Sequence, residues 1–248
     1  SHMWDWYTGV IIWKTQNPWT ALRGQMYDYY LDPNGGLYGL NNANKSIHAM
    51  YNPVDGMLTV ANHTFNSQHD LMIQAKAIDF TGKDSLIFQW FIEVTPTSVQ
   101  KIESIKRTLD KLYSEKGGFL SLRLLSSNQN IIDDNLYWFP DSSGNYSGLQ
   151  QMAKSNLEVK VRKEQTGKIE VKLVNPKDET VAFFNRISLV DRKTKKRILP
   201  SFYSDNYISV LPGEEKIIFI DHKAEQNDKE LAISISGWNV DEQYFAIE

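Results

Sequence analysis

The chain has 248 residues and a mass of 28.6 kDa, with 41% hydrophobic and 23% charged residues, the mix of a folded chain that buries a core in one large domain or two. Twenty-seven basic against thirty acidic side chains leave a formal charge of -3, too weak a field for an electrostatic binder of nucleic acid or of an anionic membrane surface. Cysteine is absent, which excludes disulfides, thiolate nucleophiles and zinc-thiolate sites, and the longest apolar runs fall well short of the ~18 to 20 residues that span a bilayer.

Ser1, His2 and Met3 read as the remnant of a cleaved tag, so His2 is not a candidate ligand. Aromatic residues make up 12% of the chain and crowd near its start. Gly9-Val10-Ile11-Ile12-Trp13 is a short unalternating apolar run, the pattern of a strand covered on both faces as in a parallel sheet. Asn17 as cap, Pro18 at the first helical position and Trp19, Leu22, Met26 and Tyr29 at spacings of 3, 4 and 3 predict a helix, which Asp32-Pro33-Asn34-Gly35-Gly36 would end.

Strands are predicted at 46–51, 57–64, 71–80, 85–94, 119–125 and 132–139, with turns at 52–56 and 81–84 between them, giving a first β-sandwich over 46–140. Ile102, Ile105, Leu109 and Leu112 fall at helical spacing inside this stretch, although 99–104 also suits a strand. Residues 141–156, with Asp141, Ser142, Ser143 and Gly144, read as a linker. Beyond it the alternation is cleaner, Leu157, Val159 and Val161 opposing Glu158, Lys160 and Arg162, and Ile169, Val171 and Leu173 opposing Glu170 and Lys172. Further strands at 182–191, 207–211, 215–221 and 230–238 give a second, immunoglobulin-like sandwich over 157–248.

Chemistry-bearing patterns are sparse. His48, His63 and His69 lack the spacing of a metal-ligand motif and are expected as surface loop histidines, so no metal and no cofactor is implied. Asp133 and Asp134, neighbours on a strand, point to opposite faces and are expected to be solvated. Arg192, Lys193, Lys195, Lys196 and Arg197 suit a charged hairpin tip, and Asn44, Asn62 and Asn145 open Asn-x-Ser/Thr triplets that arise easily by chance. No catalytic residue is read from any of these. Trp13 stands at the C-terminal end of its predicted strand, where parallel α/β barrels build their sites; its ring either stacks on a sugar or packs as core under the following helix. A further candidate surface is an aromatic platform drawn from Trp90, Tyr137, Trp138, Tyr203, Tyr207 and Trp238.

The opening stretch, strand, tryptophan, Asn17-Pro18-Trp19 and Tyr27-Asp28-Tyr29-Tyr30 in that order, resembles the last strand and helix of the catalytic barrel in glycoside hydrolase family 2, on the branch of exo-β-D-glucosaminidases and β-mannosidases. The run at 135–140 resembles the end of the first sandwich after the barrel, and 182–191, 204–215 and 236–239 resemble the final immunoglobulin-fold domain. The sequence departs from the family at Ala43-Asn44, followed here by Lys45-Ser46-Ile47 before His48 where an Ala-Asn-Glu-Pro-Leu-His-like stretch is usual.

The resemblance implies a mainly β chain, two immunoglobulin-like β-sandwich domains preceded at 4–45 by a strand-helix remnant of a (β/α)8 barrel, with a strand at 99–104 and a helical turn after it. It also implies the accessory C-terminal region of a truncated retaining β-glycosidase whose two catalytic glutamates lie upstream of Trp4, so the chain alone is expected to be inactive. Trp13 would then line the sugar pocket. The partner would be a carbohydrate held through the missing barrel, with no nucleic acid and no membrane span, in a periplasmic or secreted bacterial setting. Cut from its barrel, 4–45 is expected to fold back on the first sandwich or to drive self-association. The alternatives are a non-catalytic carbohydrate-binding or adhesive sandwich, or a module that docks on proteins.

Overall fold

The computed structural model describes residues 9–12, 14–16, 19, 25–164, 168–223 and 230–247. It is mainly antiparallel β-structure in two compact units, one centred on residues 42–152 and the other on residues 153–248 with the described part of 12–41. Among the described residues no helix is long and apolar enough to cross a membrane.

The first elements differ from those predicted. Residues 9–12 form no strand, and Val10 and Ile11 are 90% and 94% exposed; an apolar strand of this kind persists only when layers cover both faces. Residues 25–31 are not helical, because the Asp28 carboxylate competes with helical bonding. Its Oδ1 accepts the N–H groups of Tyr30 (2.8 Å) and Asp32 (3.0 Å), and Leu31 takes a left-handed φ of 64°. A helix begins where the sequence pattern placed its end. Asn34 caps α1 (Gly35–Ala43) by accepting the Gly36 N–H at 3.0 Å. Glycine at 35 answers a close approach, since a Cβ there would sit 3.1 Å from the Phe184 ring. Of the segment 4–45, which was expected to fold back on the first sandwich or to self-associate, residues 32–38 pack with the second unit, while Asn42 and Lys45 bond Asn135 and Asp133 of the first.

The first unit contains β1 (Ile47–Tyr51), β2 (Met57–Asn62), β3 (Gln68–Ile78), β4 (Asp84–Val94), β5 (Ser98–Ser104), α2 (Lys106–Leu112), β6 (Gly118–Leu125), β7 (Ile131–Phe139) and α3 (Ser147–Gln150). They build a three-stranded sheet, β1-β2-β5, and a four-stranded sheet, β4-β3-β6-β7, all pairs antiparallel. Alternate residues of each strand turn inward, so Leu58, Val60, Ile73, Ala75, Leu120, Leu122 and Leu124 share one core. The helical spacing noted at 102–112 is real over part of its length: β5 runs to Ser104, then Ile105 and Leu109 enter the core while Leu112 stays half exposed. Leu149 of α3 is also buried, so part of the stretch read as a linker packs with the first unit.

The second unit holds β8 (Glu158–Lys163), β9 (Ile169–Val174), β10 (Ala182–Asp191), β11 (Ser201–Tyr203), β12 (Ile208–Val210), β13 (Glu215–His222), β14 (Leu231–Ser236) and β15 (Gln243–Ala246). Two four-stranded sheets, β11-β13-β9-β8 and β12-β10-β14-β15, enclose Val161, Val171, Leu173, Leu189, Ile220 and Ile233, the architecture of an immunoglobulin-like sandwich. β11 and β15, of three and four residues, escaped the sequence reading because alternation over so short a run is no signal. The β10–β12 ladder carries a bulge between Ala182 and Asn185, and on its other edge β10 pairs with β14 from Arg186 to Asp191. Phe184, in the bulge, takes a φ of 53° and turns outward.

One backbone position sets the approach of α2. Gly56 has a φ of 71°, its carbonyl accepts the Ile105 N–H at 3.0 Å, and a Cβ there would lie 2.3 Å from Lys106 Cβ and 2.9 Å from its backbone. Gly56→Ala should therefore lower stability by about 2–3 kcal/mol, from left-handed strain plus the clash, in urea unfolding of the chain. A loss under about 0.5 kcal/mol would show that the 52–56 turn moves freely.

Candidate functional site

β1 is an edge strand, so one side of its backbone has no strand to pair with. In the first unit that side is met by side chains of β7. Asp133, Asn135 and Tyr137, two residues apart and so on one face, meet it in turn. Asp133 Oδ2 accepts the Ala49 N–H at 2.8 Å, Asn135 Nδ2 donates to the Ala49 carbonyl at 2.8 Å, and the Tyr137 hydroxyl accepts the Tyr51 N–H at 3.1 Å. Lys45 Nζ donates to Asp133 Oδ1 at 2.7 Å, His48 Nδ1 lies 2.9 Å from Oδ2, and Asn42 Nδ2 donates to Asn135 Oδ1 at 2.8 Å. The Asp133 side chain has no solvent exposure. Burial alone would push its pKa up; the hydrogen bonds from His48, Lys45 and the Ala49 N–H outweigh that and hold it below the ordinary carboxylate value. Burial also raises the phenol of Tyr137, against the Tyr51 hydrogen bond and with the Asp133 charge.

The second unit has its own polar centre. The Asp32 carboxylate meets the guanidinium groups of Arg186 and Arg197. The segment after it settles on aromatic rings: the Tyr207 hydroxyl donates to the Pro33 carbonyl at 3.5 Å, Gly35 abuts Phe184, and Tyr38 meets Tyr207 with ring centroids 6.1 Å apart. Phe184 and Tyr207 lie 5.4 Å apart, both with left-handed φ, and the Arg186 guanidinium sits 5.8 Å from the Tyr207 ring centroid. Such φ values cost an aromatic residue ~1–2 kcal/mol each, a strain that the packed segment offsets. The segment is tied to its own start as well, because the Tyr27 N–H donates to Thr15 O at 2.9 Å.

Several expected placements change. Trp13 lies outside the described residues. His48 is not a surface loop histidine but a buried residue of β1, drawn in by Asp133; His63 and His69 are exposed. Asp133 is not solvated, whereas Asp134 is partly exposed, its Oδ1 4.0 Å from the same Lys45 Nζ. The signal that was available is the period-two run of polar side chains on β7, and the lysine at 45 supplies the charge that a buried carboxylate needs. Among residues 192–197, the Asp191 carboxylate closes the turn by accepting from the Thr194 N–H and hydroxyl, while Arg197 belongs to the Asp32 pair and Lys195 covers the Tyr244 ring at 4.0 Å. Asn62, one of the three triplet asparagines, is fully buried and donates to the carbonyls of Val94 and Thr95.

The six platform aromatics divide between the two units. Trp90 and Trp138 are on the two outer strands of one sheet, Tyr137 and Tyr203 bond buried backbone, and Tyr203, Tyr207 and Trp238 are in the other unit. Among the described residues no group of three or more His, Asp or Glu is placed to hold a metal ion.

Because the folded-state pKa of Asp133 is depressed, its ionised form stabilises the fold fully above the ordinary carboxylate pKa, and that contribution is lost as pH falls through the lower folded value. Asp133→Asn should cost about 2–3 kcal/mol at pH 7, read by urea unfolding, and the gap to the parent chain should narrow toward pH 3. A gap that stays constant with pH would deny the carboxylate its charge-dependent role.

Residues 135–240 match a family model described as the exo-beta-D-glucosaminidase Ig-fold domain. Over its full length the chain is 28% identical to a mannosylglycoprotein endo-beta-mannosidase of Lilium longiflorum, covering 32% of that protein. Over 95% of its length it is 24% identical to an exo-beta-D-glucosaminidase of Arthroderma benhamiae, covering 28% of that protein. The chain thus spans less than a third of the curated relatives it matches. The crystal structure of the exo-chitosanase CsxA of Amycolatopsis orientalis shares the fold at a TM-score of 0.79 and 23% identity, over 96% of this chain and 31% of that one. Residues 135–240 are accordingly an Ig-like domain of the exo-glucosaminidase and mannosidase kind, in a chain homologous to those enzymes along nearly its whole length.

Proposed function

We propose that the chain forms the non-catalytic, supporting region of a retaining β-glycosidase of family 2 that acts on β-linked glycans with glucosaminidase- or mannosidase-like specificity. The observation that carries this reading is the asymmetry of the match: 95% or more of this chain aligns, yet it spans no more than 32% of the relatives. The remainder of such a protein is where the two catalytic carboxylates, ~5 Å apart for a retaining mechanism, would stand. Residues 32–38 support the same reading, since two arginines and two strained aromatics are built around the segment that follows Trp13. In the complete enzyme Trp13 lines the sugar pocket, and the enzyme works outside the cytoplasm, in a periplasmic or secreted setting. A single aromatic platform is less favoured, because Trp90 and Trp138 stand on opposite outer strands.

The purified chain should not hydrolyse p-nitrophenyl β-D-glucosaminide or β-D-mannoside above the buffer rate, and clear turnover would overturn the accessory reading. In the complete enzyme, Trp13→Ala should lower kcat/KM about fivefold or more, the loss of a stacking contact of ~1 kcal/mol; a change within about twofold removes Trp13 from the pocket. Val10 and Ile11 leave apolar surface open to solvent. The chain alone should therefore self-associate with rising concentration in sedimentation velocity, and a strict monomer up to ~100 µM would contradict this.

A further inference from the structure

One end of the four-stranded sheet of the first unit carries a groove that the accessory role does not use. It has a volume of about 430 Å³, within the ~300–1,000 Å³ of small-molecule sites, and is lined by Asp70, Phe91, Ile92, Glu93, Ser127 and Gln129. Two strand ends and a turn build it. On β4, Ile92 opposes Leu71 in the core, so Phe91 beside it projects to the other face, opposite Met72, and is 69% exposed. The β3–β4 register shifts between Gln68 and Leu71, which places His69 and Asp70 in a bulge, with Asp70 at a φ of 53°. Across from them the 126–130 turn is closed by the Gln129 N–H on Ser126 O and the Ser126 N–H on Asn130 O, both at 2.9 Å, and carries Ser127 and Gln129 to the rim.

The groove has one chemical character. Its apolar element is the ring of Phe91, a flat surface that suits the C–H face of a pyranose and whose negative π face also attracts a cation. Its charged lining is two carboxylates, Asp70 and Glu93, with no lysine or arginine lining it among the described residues. The nearest ring nitrogen is His69 Nδ1, 3.4 Å from Glu93 Oε2. Ser127 and Gln129 add a hydroxyl and an amide that can bond ring hydroxyls. A neutral sugar would use the ring and the amide alone; a sugar bearing a protonated amine uses the ring and both carboxylates.

We propose that this groove is a non-catalytic subsite for cationic amino-sugar units of a β-linked glycan. The choice of a glycan rests on the functional reading above, while the preference for a free amine rests on Asp70, Phe91 and Glu93. The subsite would hold a deacetylated chain on the first unit through ring stacking and two charge-assisted hydrogen bonds.

Calorimetric titration of the chain with a glucosamine tetramer, its N-acetylated counterpart, a cello-tetramer and a short lysine peptide tests it. The deacetylated tetramer should bind at least about tenfold more tightly than the other three, and its affinity should fall with added salt. Phe91→Ala, and Asp70→Asn with Glu93→Gln, should each weaken that binding about five- to tenfold without changing the melting temperature, since all three side chains are exposed. Phe202→Ala, an exposed ring of the second unit, should leave it unchanged. Equal affinity for the acetylated or neutral tetramer, equal affinity for the lysine peptide, no binding by about 10 mM, or binding indifferent to Phe91→Ala would each overturn the proposal. Hydrolysis of a glycoside by the chain would overturn the accessory reading and leave this titration interpretable, because the Phe91 variant isolates the groove from any other site.

Discussion

Three side chains spaced two residues apart on β7 do for β1 what a neighbouring strand would otherwise do. Asp133, Asn135 and Tyr137 satisfy the outward amide and carbonyl of Ala49 and the amide of Tyr51, so an edge that would invite pairing with a foreign strand is closed from within its own sandwich. The arrangement requires a carboxylate with no exposure to solvent, which folds stably only while it is charged and matched. Lys45 and His48, three residues apart at the start of the first unit, provide the match. The sandwich therefore depends on residues that precede its first strand, and the identity of position 45 is an electrostatic matter before it is a functional one.

The second unit repeats the principle with different chemistry. Asp32 is nearly buried between two arginines, and the chain around it adds a capped helix start, a carbonyl held by Tyr207 and a glycine small enough to touch Phe184. Phe184 is presented by a bulge of β10, and the bulge is itself held by the buried Asn185 amide, which donates to Ala182 O at 2.7 Å and Ile208 O at 3.1 Å. An interior hydrogen bond thus fixes a surface ring, and the ring receives the segment. In both units the polar groups that are hardest to bury are those that fasten the preceding stretch of chain.

Most strands were legible because each carries at least five residues of alternating or unbroken apolar pattern, as in β3, β4, β6 and β10. The failures have specific causes. Periodicity over 19–29 promised a helix, of which 20–24 lie outside the described residues; over 25–29 the apolar pattern says nothing about Asp28, whose carboxylate captures two backbone amides and turns the chain. Asn34-Gly35-Gly36 reads equally well as a stop or as a cap followed by a tight approach, and only the presence of Phe184 decides between them. Alternation along β7 separates Asp133 from its neighbour but carries no information about what its face meets, so its burial against β1 is not readable from the pattern. The groove at Phe91 left no trace in the sequence, since it gathers residues 70, 91, 93, 127 and 129 from three separate places in the chain.

The pairing of Asp32 with Arg186 joins residues 154 positions apart. On a ribosome that adds roughly 5–20 residues per second, the carboxylate emerges some 8–30 s before the guanidinium that will hold it. Through that interval the 32–38 segment, with Tyr38 destined for burial, has no finished surface to rest on, while the first unit, whose farthest fastenings join residues 42 and 135, is already complete. Assembly is therefore ordered by translation: the first sandwich closes early, and the segment at its entrance stays open until the last sandwich arrives to receive it. For this chain the vulnerable period is set by the timing of synthesis and not by the stability of either finished sandwich.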